Sequence, residues 1–243
     1  MNNIFDTPVD AERIRQNPLA LARTNAFIQR VFVIMTAGLA ITGFLAYGFA
    51  GYLANNPEMI MTIFGSGLKW VIMLAPFAFI LALNFGIERM SYATATLVFA
   101  GFATVMGISL SSIFLVYTGA SIAATFFVTA GTFGAMALIG ATTKRDLTKM
   151  GSYLMMALIG IIIASVVNIF LKLGPLNLII NIAGILIFCG LTAYDVQKLM
   201  RISQAEDGSE RMKKYSVIGA LSLYLNFINL FLFLLRFMGS SRD

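Results

Sequence analysis

Histidine is absent from this 243-residue chain, and cysteine occurs once, at Cys189. Without histidine there is no Ser/His/Asp or Cys/His nucleophile arrangement and no His-containing metal site. A lone cysteine forms neither an internal disulfide nor a thiolate cluster. Charge is scarce as well: only 12% of residues are charged, about half the roughly 25% of a water-soluble domain. No charge falls between Arg89 and Lys144, a gap of 54 residues. These shortages exclude a soluble globule and argue against an enzyme or a cofactor.

What the chain has in abundance is apolar surface, 59% of its residues, with a mean hydropathy of +0.86. A bilayer-spanning helix needs about 20 such residues. Windows of about 19 residues pick out seven segments: Val31 to Ala54, Trp70 to Ile87 with Pro76 inside, Tyr92 to Val116, Ser121 to Gly140, Ser152 to Leu171, Leu176 to Tyr194, and Val217 to Phe237. The reading is an all-α membrane protein of seven transmembrane helices. A polar cytoplasmic tail, residues 1–30, precedes a single membrane domain, 31–238, and a short tail, 239–243, follows. The run Met59 to Phe64 is too short to cross and reads as interfacial or packed in a loop.

Lys and Arg accumulate on the cytoplasmic side of a membrane. With the N-terminus inside, 13 of the 17 basic residues fall on the inner side and four, Lys69, Lys172, Arg236 and Arg242, on the outer side. The expectation is therefore a bacterial inner membrane protein, N-terminus cytoplasmic and C-terminus outside. The first 25 residues are polar and carry no apolar core near their start, so no cleaved secretory signal is expected. The net charge of +6 is accounted for by this bias and by anionic lipid, with no need of nucleic acid. The one sizeable polar insert, Gln197 to Tyr215, reads as a solvated hinge about Asp207-Gly208-Ser209.

Polar groups within the spans are costly and so carry the functional signal. On the sixth segment Asn177, Asn181, Gly184, Phe188, Leu191 and Asp195 recur at helical spacing and share one face. On the seventh, Ser222, Asn226, Asn229, Phe233 and Arg236 do the same. An amide facing lipid leaves hydrogen bonds unmade, so both stripes must face protein or water, most simply each other. Such residues also serve as interhelical glue, and Asp195, near a helix end, is open to simple solvation. Arg89, on the same side of the membrane, reads either as an anchor or as a cation for Asp195.

The stretch Leu191 to Lys198, Leu-Thr-Ala-Tyr-Asp-Val-Gln-Lys, and the run Gly219 to Arg236 resemble the two C-terminal signature helices of the Bax inhibitor-1 family. Gly107 to Phe114 and Thr142 to Leu147 are similar to its third helix and to the loop after its fourth. The resemblance implies that the C-terminal helix is central and surrounded by the other six. It also implies a pH-dependent calcium leak, in which two aspartates of the sixth and seventh helices share protons and calcium while an arginine latches onto the first. Asp195 matches the first aspartate and Arg89 the latch of some bacterial members. The second aspartate is replaced here by Asn226. Two facing carboxylates hold a proton between them; Asp195 beside Asn226 has no such partner, so weak calcium binding and a blunted or shifted pH response are expected.

The leading reading is thus a calcium or cation leak channel gated at Asp195, with Asn226 and Arg89 beside it, Asn177, Asn181, Ser222 and Asn229 lining the path, calcium as permeant or regulatory ion, and the lipid bilayer as partner. The alternative is a non-channel regulator of a membrane protein complex such as a quality-control protease. An intramembrane hydrolase lacks the second carboxyl that its acid/base chemistry needs.

Overall fold

The computed structural model describes residues 18–242. Among these residues the chain forms eight α-helices and no strand beyond an isolated bridge between Tyr117 and Ser241. The helices are α1 (Pro18–Asn55), α2 (Pro57–Phe64), α3 (Leu68–Gly86), α4 (Tyr92–Val116), α5 (Gly119–Thr142), α6 (Thr148–Leu171), α7 (Gly174–Ser203) and α8 (Glu210–Met238), with a 3-10 turn at Ile87–Arg89 after α3. All but α2 are long and apolar enough to cross a bilayer, which gives the seven expected spans.

Local signals place the helix starts. Ser91, Thr118 and Ser209 each stand just before a helix, and their side-chain oxygens accept from the backbone N–H of Thr94, Ser121 and Met212, satisfying donors that have no partner inside the helix. Pro57 opens α2, where its missing N–H costs nothing. The short turn between α4 and α5 closes a hairpin onto which the C-terminal residues fold back: Thr118 N–H donates to Ser240 C=O and Arg242 N–H to Val116 C=O.

The helices run further than their apolar cores. Residues 18–30, expected in the polar tail, continue α1 without a break, while residues 1–17 lie outside the described part of the chain. The insert expected as a hinge is mostly helix: α7 extends to Ser203 and α8 begins at Glu210, leaving a connection of Gln204 to Ser209 with Gly208 at φ +82°. Charges there mark where the chain leaves the apolar zone; the backbone hydrogen bonds carry on past that point.

The last helix is the most enclosed span. Of its most apolar stretch 67% is buried, against 6% for α6. It packs along α7, α1, α5 and α4, while α3 rests on α4 and α6 on α7. The ring around α8 therefore consists chiefly of four spans with α3 and α6 layered outside them, and the exposed side chains of those two, among them Trp70, Phe77, Phe85, Ile162 and Phe170, form an apolar girdle suited to lipid. Close approach of backbones sets this packing. A Cβ added at Gly140 of α5 would collide with the Ala193 carbonyl of α7, and one at Gly107 of α4 would lie 2.8 Å from the Thr42 carbonyl oxygen of α1. Small residues at helix contacts let dispersion act over a large area where no hydrophobic force holds spans together.

At the centre, fully buried Tyr224 of α8 meets Phe99 and Phe102 edge-on, with ring centroids 5.8 and 5.2 Å away. Thr42 donates to Ala103 C=O at 2.9 Å, so the 2.6 Å contact between Thr42 Oγ1 and Tyr224 Oη has the tyrosine as donor. This chain of bonds ties α8, α1 and α4 together with its hydroxyl hydrogens used.

Candidate functional site

Asp195 lies about six turns into α7, and its carboxylate is held by the neighbouring helix. Ser222 Oγ donates to Asp195 Oδ2 at 2.6 Å and Asn226 Nδ2 donates to the same oxygen at 2.8 Å. Ser222 and Asn226 are one turn apart on α8, so the antiparallel packing of α7 and α8 brings both donors to one acceptor. Asn226 is buried. No described residue donates to Oδ1, the second carboxylate oxygen, and Asp195 forms part of the wall of an open-sided cavity of about 410 Å³.

The cavity's other polar walls come from three elements: Asn84 of α3, Lys198 one turn beyond Asp195 on α7, and Tyr215 and Ser222 of α8. Asn84 is the residue that sequence reasoning missed. It is the sole polar side chain in the run from Trp70 to Ile87, and a lone amide within a span is itself a signal. Arg89 was expected here as the cation. It stands exposed, with no ion pair to Asp195. The reason is geometric: in the 3-10 turn Ile87 is buried, and with three residues per turn Arg89, two positions on, points elsewhere. The turn is fixed from α8, whose Lys214 ammonium donates to Glu88 C=O at 3.2 Å. The basic side chain at the cavity is Lys198.

Of the other expected pathway residues, Asn229 does not reach α7; its amide donates to Leu225 C=O on its own helix at 2.8 Å. Asn177 and Asn181 lie at the opposite end of α7, in the wall of a second cavity of about 670 Å³ shared with Lys172 and Arg236. Asn177 also acts as glue, its Oδ1 accepting from Asn168 Nδ2 of α6 at 2.8 Å.

An apolar partition separates the two cavities. Phe188 of α7 and Phe233 of α8 stack with centroids 5.8 Å apart, and Gly184 leaves room for the Phe233 ring, since an added Cβ there would sit 2.5 Å from a ring carbon. Leu191, between Phe188 and Asp195, is buried. The two stripes expected from helical spacing therefore do face each other, as a hydrogen-bonded carboxylate at one end, aromatic rings in the middle and amides with Arg236 at the other end.

Beside the site, α7 also grips the loop between α5 and α6. Gln197 accepts from Leu147 N–H at 2.9 Å and donates to Arg145 C=O at 2.8 Å, and Arg201 meets Asp146 at 2.7 Å. Hydrogen bonds from the Thr148 hydroxyl and backbone, and then from Arg201, hold the Asp146 carboxyl well below the usual range. Gln197 is two residues from Asp195, so the loop and the carboxylate share one stretch of helix.

The family model described as Inhibitor of apoptosis-promoting Bax1 matches residues 24–243. The chain belongs to the Bax inhibitor-1 family. Relatives are similar along almost their whole length. Inner membrane protein YbhL of Escherichia coli K12 is 44% identical over 224 residues, which cover 91% of this chain and 94% of that protein. An uncharacterized protein of Borreliella burgdorferi is 44% identical over 221 residues, covering 90% and 94%, and one of Caulobacter vibrioides is 43% identical over 225 residues, covering 89% of each. The expected family and its all-helical, seven-span architecture are thus both met. Within that family frame Asp195 meets an amide, not a second carboxylate, at the α7–α8 contact.

Proposed function

We propose that this member of the Bax inhibitor-1 family is a pH-sensitive leak channel for calcium or similar cations in a bacterial inner membrane, with its N-terminus and the Asp195 cavity on the cytoplasmic side. The observation that carries the reading is Asp195 itself: a carboxylate held by two donors on one oxygen, with its other oxygen unspent in a cavity within the bundle. Hard cations take oxygen ligands; Asp195 and Asn84 line the cavity, and buried Asn226, hydrogen-bonded to Asp195, would add its Oδ1 as the helices part. One carboxylate with amides makes a weak site, as suits an ion that must leave again. Protonation of Asp195 removes the site's charge, which is the source of pH sensitivity. The name of the Escherichia coli relative supports the inner membrane as location. The Phe188–Phe233 partition interrupts the path, so conduction requires those rings to part. The reading includes no catalytic step and no cofactor.

The test is calcium flux into dye-loaded liposomes carrying the purified protein, across a pH series. The expected result is a leak that varies with pH, loses that variation in Asp195→Ala, and gains both magnitude and pH response in Asn226→Asp. Identical pH profiles in all three forms would refute the role of Asp195. Well-inserted protein with no flux at all would instead favour the regulator of a membrane complex, to be sought through the N-terminal residues and the segment 197–215.

A further inference from the structure

The cavity at the far end of α7 has a chemistry of its own. Its polar wall is built from Lys172, Arg236, Asn177, Asn181, Ser165 and Tyr117, and no carboxylate belongs to it among the described residues. Lys172 and Arg236 form no ion pair with a described acidic residue. Donors outnumber acceptors here. Asn177 has its oxygen occupied by Asn168, which leaves its NH2 group free, and Asn181 makes no hydrogen bond to a described residue.

Both cations are carried on fixed parts of the fold. The Arg236 guanidinium lies over the Phe233 ring, 5.9 Å from its centroid, a contact that orients the planar fork. Lys172 ends α6 in the left-handed region at φ 52°, a conformation costly for a side chain with a Cβ. Buried Asn168 fixes that turn from both sides: its backbone C=O accepts Lys172 N–H at 2.8 Å and its Oδ1 accepts Leu173 N–H at 3.0 Å. A strained turn locked by a buried amide fixes the backbone from which Lys172 lines the cavity.

We infer that this cavity binds a phosphate group, either the phosphodiester of an anionic lipid headgroup or a free phosphate ion. Two cations in one cavity wall and several N–H and O–H donors suit a multidentate oxyanion better than a spherical halide. The site sits where α6 ends and α7 begins, at the edge of the apolar girdle, which is the depth of lipid phosphates. Exposed Ile169 is part of its wall, and exposed Phe170 and Leu173 flank the lining residue Lys172 in sequence, as acyl chains would require. A bound phosphate would also offset part of the positive charge of Lys172 and Arg236, which repels cations. The site's occupancy does not depend on whether the protein conducts.

The test uses the full-length protein. Nanodiscs with equal parts phosphatidylglycerol and phosphatidylcholine are dissolved in mild detergent, and retained lipid is quantified by native mass spectrometry. In parallel, thermal unfolding in lipid-free micelles is followed with sodium phosphate against sodium chloride at equal ionic strength. The expected result is preferential retention of phosphatidylglycerol, falling about tenfold in the Arg236→Gln, Lys172→Gln double variant and unchanged in Lys69→Gln, a cation on α3. Stabilisation by inorganic phosphate without lipid preference, lost in the same double variant, assigns the site to the free ion. Equal retention of both lipids and no phosphate response in the wild type would overturn the inference, and that arm stands even if the double variant does not fold. A preference unaltered by the folded double variant would overturn it equally.

Discussion

The hydrogen bonds on Asp195 lend themselves to a double-mutant cycle. Ser222→Ala and Asn226→Ala each delete one donor, at 2.6 and 2.8 Å, from the same carboxylate oxygen. In water-soluble proteins a hydrogen bond to a charged group contributes about 1.5–3 kcal/mol. Between membrane helices measured couplings average about 0.6 kcal/mol and reach about 1.7, because the unfolded helices find other partners. The short distances and charged acceptor place each pair toward the upper part of the membrane range, about 1 kcal/mol. Unfolding free energies by steric trapping in bicelles, for the wild type, each single variant, Asp195→Ala and the two doubles, give the couplings. Each donor variant is expected to destabilise the wild type more than it destabilises Asp195→Ala. If the two losses agree within about 0.3 kcal/mol, the limit for independent sites, the donors do not hold Asp195 and the geometry of the proposed gate is wrong.

Gly140→Ala should destabilise the bundle by about 1–3 kcal/mol, because the new Cβ meets the Ala193 backbone, whereas Gly131→Ala, with nothing within 4 Å, should cost no stability; the same unfolding assay compares them. Tyr224→Phe removes a buried donor from Thr42 and should cost about 1 kcal/mol, a loss absent in a Thr42→Val background. Asp146→Asn should weaken the loop between α5 and α6 at neutral pH. The Asp146 carboxyl is depressed in the folded protein, so its contribution is fully present above the ordinary carboxylate range and fades as pH falls from there toward the depressed folded value; the gap between variant and wild type, read by amide hydrogen exchange of residues 145–148, should begin to narrow below about pH 4.

The seven spans were legible because an apolar run of the right length has one fate in a bilayer. Helix ends were not, as α1 and α7 show: charged residues after Tyr194 stop the apolar pattern without stopping the helix. Helical spacing also identified both polar stripes, and Asp195 meets Ser222 and Asn226 as their facing required. Spacing alone does not fix how far one helix slides along the other, so Asn229, one turn further, was expected in the pathway but bonds its own backbone. Arg89 and Asn84 show the same limit. Asn84 lies in the last turn of α3 and Arg89 in the 3-10 turn that follows it, and a one-dimensional reading favoured the charged residue; the 3-10 turn reverses their roles, sending the arginine outward and leaving the amide at the cavity. The grip of Gln197 on Arg145 and Leu147 joins residues about 50 positions apart, which no local pattern announces.

The Phe188–Phe233 partition has an electrical consequence. From Gly184 to Leu191 the α7 axis rises about 10 Å, roughly a third of the hydrocarbon thickness. With water in the cavities on either side, a membrane voltage falls mostly across this short apolar stretch, so the local field there is about three times that in plain bilayer. Asp195 and Arg236 sit on opposite sides of that drop, so a shift of either charge into the apolar stretch would couple to the voltage about three times as strongly as the same shift in plain bilayer.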